Sequence, residues 1–99
     1  MHNEFLCSPT VTNCIFSDNT SDWDGGGMFN ISYSSPSIKN CIFSGNSTVK
    51  WGGAIFCVDS NSTITNCTFT GNSAQNGKAV AYYLWNEQHQ SDVELSNCI

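Results

Sequence analysis

The chain has 99 residues, 39% hydrophobic and only 11% charged, and three lysines against eight acids leave a net charge of −5. With no arginine and no basic cluster, nucleic acid is excluded as a partner, because phosphate binding relies on gathered Lys and Arg. No apolar run of about 18 residues exists to span a bilayer as a helix, and the retained Val, Ile and Phe residues separate the chain from disordered sequences.

Read from the start, the first period carries Ser8-Pro9-Thr10-Val11-Thr12-Asn13-Cys14-Ile15-Phe16-Ser17-Asp18-Asn19, followed by Gly25-Gly26-Gly27-Met28-Phe29. The first phrase returns from Ser35 and again from Asn61, and a fourth copy begins at Asp92 and stops at Ile99. The glycine phrase returns as Gly52-Gly53-Ala54-Ile55-Phe56 and, more loosely, as Gly77-Lys78-Ala79-Val80-Ala81. Cys14, Cys41, Cys67 and Cys98 are thus spaced by 27, 26 and 31 residues, a period that marks a stacked-repeat architecture. Neither phrase has helical i, i+3, i+4 spacing. Both are short, rich in β-branched and aromatic residues, and bounded by Gly, Asn and Ser, which predicts strands.

The expected fold is all-β: a parallel β-helix, or solenoid, of three to four coils over 1–27, 28–54, 55–79 and 80–99, the last irregular. Met1 and Ile99 both fall at mid-repeat positions, so the chain is expected to be a single fragment of a longer array. Equivalent residues stack on one another in such a fold. Val11, Ile38, Ile64 and Leu95 form one ladder, Phe16, Phe43 and Phe69 a second, and Met28, Ile55 and Val80 a third. In the glycine-led strand, Ile55 and Cys57 are expected to point inward in preference to Ala54, Phe56 and Val58. Asn13, Asn40, Asn66 and Asn97 form one Asn ladder and Asn19, Asn46 and Asn72 another, serving turns and coil-to-coil amide bonds. Cys14, Cys41, Cys67 and Cys98 read as a ladder of packed free thiols, since stacked parallel neighbours rarely reach disulfide geometry. Cys7 and Cys57 stand outside that ladder. No C-x-x-C pair suggests zinc, and no cofactor is expected.

The phrases resemble the repeats of the polymorphic outer membrane proteins, marked by F-x-x-N alternating with G-G-A-[ILV]. Here these stand as Phe16-Ser17-Asp18-Asn19, Phe43-Ser44-Gly45-Asn46 and Phe69-Thr70-Gly71-Asn72, with Gly52-Gly53-Ala54-Ile55 and Gly25-Gly26-Gly27-Met28 between them. The resemblance covers nearly the whole chain; Lys78 breaks the third glycine motif. It implies a right-handed coil and an extracellular or bacterial outer-membrane location. It also implies a display or adhesive role, as in autotransporter passengers, with a host-surface protein or polysaccharide as partner.

Specific contacts are expected where repetition fails. Trp23 and Trp51 fall near the same place in successive coils, and Tyr82, Tyr83 and Trp85 gather in the longest departure; all five are candidates for carbohydrate or partner contacts. Asp18, Asp22 and Asp24 crowd one loop and are a weak calcium candidate, although their spacing matches no calcium motif. The alternative function is a non-catalytic part of a polysaccharide lyase or glycosidase with a pectate-lyase-like fold. No Arg, scattered lysines and no carboxylate pair on a rigid face argue against catalysis by these residues. Five N-x-[S/T] sequons, at Asn19, Asn30, Asn46, Asn61 and Asn66, follow from the composition.

Overall fold

The computed structural model describes residues 1–84 and 93–99, and among these it contains strands and turns but no helix. The strands are β1 (His2–Glu4), β2 (Thr10–Thr12), β3 (Ile15–Ser17), β4 (Thr20–Ser21), β5 (Met28–Ile31), β6 (Ser37–Lys39) and β7 (Ile42–Ser44). They continue with β8 (Ser47–Thr48), β9 (Ile55–Val58), β10 (Ser62–Thr65), β11 (Thr68–Thr70), β12 (Val80–Tyr83) and β13 (Val93–Ser96). Every pairing is parallel and joins a strand to its counterpart one period away. Four sheets result: β1-β5-β9-β12, β2-β6-β10-β13, β3-β7-β11 and β4-β8. The chain visits each in turn, giving the parallel β-solenoid of about three turns that the period predicts.

Single left-handed residues turn the corners after the second and third sheets. Asn13, Asn40, Asn66 and Asn97 all lie at φ between 52° and 55°, a region a short polar side chain tolerates better than most. Each bends the chain after the second-sheet strand and turns the following Cys inward, so Cys41 and Cys67 are buried. Asp18, Gly45 and Gly71, at φ 55°, 65° and 64°, play the same part ahead of Asn19, Asn46 and Asn72.

The two Asn sets therefore divide the work expected of both. A left-handed corner directs its own side chain outward, and Asn13, Asn40, Asn66 and Asn97 are exposed. The amide column belongs to the second set. Fully buried Asn46 accepts at Oδ1 from the backbone N–H (3.1 Å) and Nδ2 (2.9 Å) of Asn19. Its Nδ2 donates to the Phe16 carbonyl (2.8 Å) and to Asn72 Oδ1 (3.0 Å). Such a column satisfies backbone that would otherwise be buried without partners.

The core lies between the sheets. Val11, Ile38 and Ile64 are aligned by strand register and buried, while Leu95, level with Ile64, is exposed. Phe16 and Phe43 stack at 4.7 Å and 3°, and Phe43 and Phe69 at 5.3 Å and 12°. These separations follow from the strand spacing of about 4.8 Å, which lays like on like. Met28 and Ile55 close the core from the first sheet, with Val80 partly buried against them. A polar column unforeseen in the sequence runs beside them. Asn3 Nδ2 donates to Asn30 Oδ1 (2.7 Å), Asn30 Nδ2 to Cys57 Sγ (3.5 Å), and Cys57 lies 3.2 Å from Ser62 Oγ.

Candidate functional site

The first sheet carries apolar side chains on both faces. Met28, Ile55 and Cys57 belong to the inner core. Ile31, Phe56, Val58 and Ala81 form a separate cluster on the outside, with Phe29 and Trp51 packed against it. Alternation along β5 and β9 dictates this, since successive side chains point to opposite faces. Phe56 and Val58 face outward yet are only 5% and 1% exposed.

Trp51 covers much of this outer cluster. Parallel bridges to Asp24 and Asn76 fix its backbone in the stack, and its N–H donates to Asp24 Oδ1 at 3.2 Å. Its ring stacks on Phe56 at 6.0 Å and 23° and meets Tyr83 at 6.2 Å and 52°. Phe29 and Phe56 stack at 5.6 Å and 5°, and His2 lies against Phe29 at 5.1 Å. Between these rings runs a groove of about 310 Å³ lined by Asp24, Phe29, Trp51, Phe56, Val58 and Tyr83. That volume is at the small end for a ligand site, and the lining, mainly aromatic and apolar with a few polar groups, is of the usual kind. Among the described residues, Asp24 is the one charged residue in that lining.

Two larger hollows are less built. One of about 460 Å³ is edged by Met1, His2, Trp23 and the Gly25–Gly26 backbone; the other, about 420 Å³, is the apolar end of the core at Phe69, Val80, Leu95 and Ile99. Both are end surfaces of the coil stack, whereas the groove is assembled from side chains of successive coils.

A family described as right-handed β-helix region matches residues 2–99. The chain belongs to the right-handed β-helix family. No curated protein and no solved structure matches it.

The β-helix rearranges the expected contact residues. Trp23 and Trp51 do not share a place: the bridge pairs Trp51 with Asp24, and Trp23 falls level with Lys50, whose N–H donates to the Trp23 carbonyl at 3.1 Å. Trp23 is 67% exposed, with Lys50 Nζ 4.2 Å above its ring, and lies outside the groove lining. Tyr82 and Tyr83 also part. Tyr83 is level with Val58 on the outer face and lines the groove, while Tyr82 is level with inward-facing Cys57 and is exposed. Trp85 lies outside the described residues. The groove adds Phe29, Phe56 and Asp24, which the tryptophan-led reading left out of the contact set.

The acidic loop of this β-helix is spread out. Asp18 sits at a left-handed corner with its carboxylate over Gly45, Asp22 is exposed, and Asp24 turns into the groove. Among the described residues, no group of three His, Cys, Asp or Glu side chains is placed to hold a metal.

None of the six cysteines is joined in a disulfide. Cys41 and Cys67 donate to the carbonyls of Lys39 (3.2 Å) and Thr65 (3.3 Å), two residues back. Burial pushes the Cys57 and Cys67 thiols above their ordinary value, with hydrogen bonds from Ser62 and Asn30 partly opposing this at Cys57. Such thiols are poor nucleophiles.

Proposed function

We propose that this β-helix is a non-catalytic display segment of a secreted or cell-surface protein, and that its outer aromatic groove grips a polysaccharide. The observation that carries the reading is the groove itself: Trp51, Tyr83, Phe29 and Phe56 brought together on one rigid face beside the Asp24 carboxylate. Rings stack readily on the apolar faces of sugars, and the strand ladder holds them without further ordering cost. Among the described residues the lining holds one carboxylate, which favours gripping over cleavage, because glycosidases use two held about 5 to 9.5 Å apart. The F-x-x-N and glycine phrases support the outer-membrane or extracellular setting and the adhesive use, which follow from the resemblance to polymorphic outer membrane repeats.

The test is retention on immobilised polysaccharides, comparing the wild-type chain with Trp51→Ala and Trp23→Ala. Retention lost in Trp51→Ala and kept in Trp23→Ala supports the reading. Equal retention of all three, or none by the wild type on any polysaccharide, contradicts it.

A further inference from the structure

We infer that the groove takes an amino sugar, a hexosamine unit carrying a free ammonium group, in preference to a neutral or acidic sugar. The inference rests on the polysaccharide reading above and narrows it to one chemical class.

The rings come first. Trp51 and Tyr83, inclined at 52°, present two faces to the same space over Phe56. An aromatic face carries negative charge density at its centre, so it attracts a cation as well as the C–H face of a sugar, most strongly where water is displaced. A second feature is the carboxylate edging those rings. Asp24 Oδ1 is taken by the Trp51 N–H, leaving Oδ2 as the acceptor for a ligand. An ammonium donor there makes a charge-assisted bond, stronger than one from a hydroxyl or an acetamide.

The lysines provide the third argument. None lines the groove: Lys50 is held over Trp23, Lys39 lies on β6 of the second sheet, and Lys78 is at the glycine corner of the next coil. A uronate in this groove would bring its carboxylate beside Asp24 with no lysine in the lining to offset either. The net charge of −5 acts in the same direction at longer range, drawing in polycations and repelling polyanions.

Three probes separate the outcomes: a glucosamine oligomer with free amines, its fully N-acetylated form, and a uronic acid oligomer of equal length. Calorimetric titration of the intact chain is expected to give affinity about tenfold higher for the free-amine oligomer than for the N-acetylated one, with the uronate weakest. Added salt should erode that margin, since part of the groove is open to solvent. Asp24→Asn keeps an Oδ1 acceptor for the Trp51 N–H while removing the charge. It is expected to abolish the margin, bringing the free-amine affinity down to the level of the N-acetylated form. Equal affinity for the amine and acetylated forms, or a margin surviving in Asp24→Asn, overturns the amino-sugar inference and leaves the polysaccharide reading standing. Binding by none of the three, with no effect of Trp51→Ala, overturns both.

Discussion

Replacing Gly53 by alanine adds one methyl group at the closest approach between two coils. A Cβ there would lie 2.2 Å from the Lys78 carbonyl oxygen and 2.7 and 2.8 Å from the Ser73 oxygen and nitrogen, where ordinary contact begins at 3.4 Å. All three neighbours are backbone, so the coils must part by about 1 Å to admit the methyl. That displacement breaks the bonds from the Gly53 N–H to the Gly77 carbonyl (3.0 Å) and from the Ala54 N–H to the Ala79 carbonyl (3.0 Å). Two backbone bonds at about 1 kcal/mol each, plus about 1–3 kcal/mol of overpacking, give a local loss of about 3–5 kcal/mol. Native-state hydrogen exchange reads it directly. The Gly53 and Ala54 amides are expected to exchange about a hundredfold or more faster, while Gly26 and Gly27, one interface away, change much less because a solenoid couples nearest neighbours. Lys78→Ala, at the equivalent position of the next coil, already tolerates a Cβ and is expected to change stability by less than about 0.5 kcal/mol. Unchanged protection at Gly53 and Ala54 in the Gly53→Ala variant would refute the stacking register.

Asn46→Ala removes the centre of the amide column, and with it the acceptor of the Asn19 N–H and the side-chain donor to the Phe16 carbonyl; a loss of about 2–4 kcal/mol in urea unfolding is expected, and a loss below about 0.5 kcal/mol would contradict the column. Cys57 keeps its proton in the folded chain above the ordinary thiol value of 9.0, so the unfolded chain loses that proton first as pH rises. Stability from this group is therefore full below about pH 8.5–9 and lost as pH climbs through the higher folded value; Cys57→Ala should flatten that alkaline decline in the urea midpoint. Passage through a eukaryotic secretory pathway is expected to load glycans on exposed Asn61 and Asn66 and not on fully buried Asn30 and Asn46, as peptide mass spectrometry would show.

The core was legible because repetition marks it: Phe16, Phe43 and Phe69 recur at one phase, and only an in-register stack keeps like residues on top of each other. The two Asn sets were legible as corner residues but not as to role, since one letter serves both a left-handed turn and a buried amide. Their neighbours decide it. Where Gly or Asp precedes the Asn, that residue takes the positive φ and the Asn turns inward. The groove was harder to read because β9 carries apolar side chains on both faces, so alternation alone does not separate Phe56 from Ile55. Trp51 is phased by the glycine that follows it: Asp24, Trp51 and Asn76 each precede a corner glycine at φ 64°, 66° and 63°. That alignment puts a carboxylate beside the Trp51 ring and moves Trp23 out, a displacement that matching tryptophan to tryptophan conceals.

The account turns on Trp51 as the contact residue, and an NMR titration of the chain with the free-amine glucosamine oligomer tests it most directly. The indole N–H resonance of Trp51 is expected to shift saturably while that of Trp23, outside the groove lining, stays in place. A shift confined to Trp23, or none at Trp51 at saturating oligomer, would contradict it.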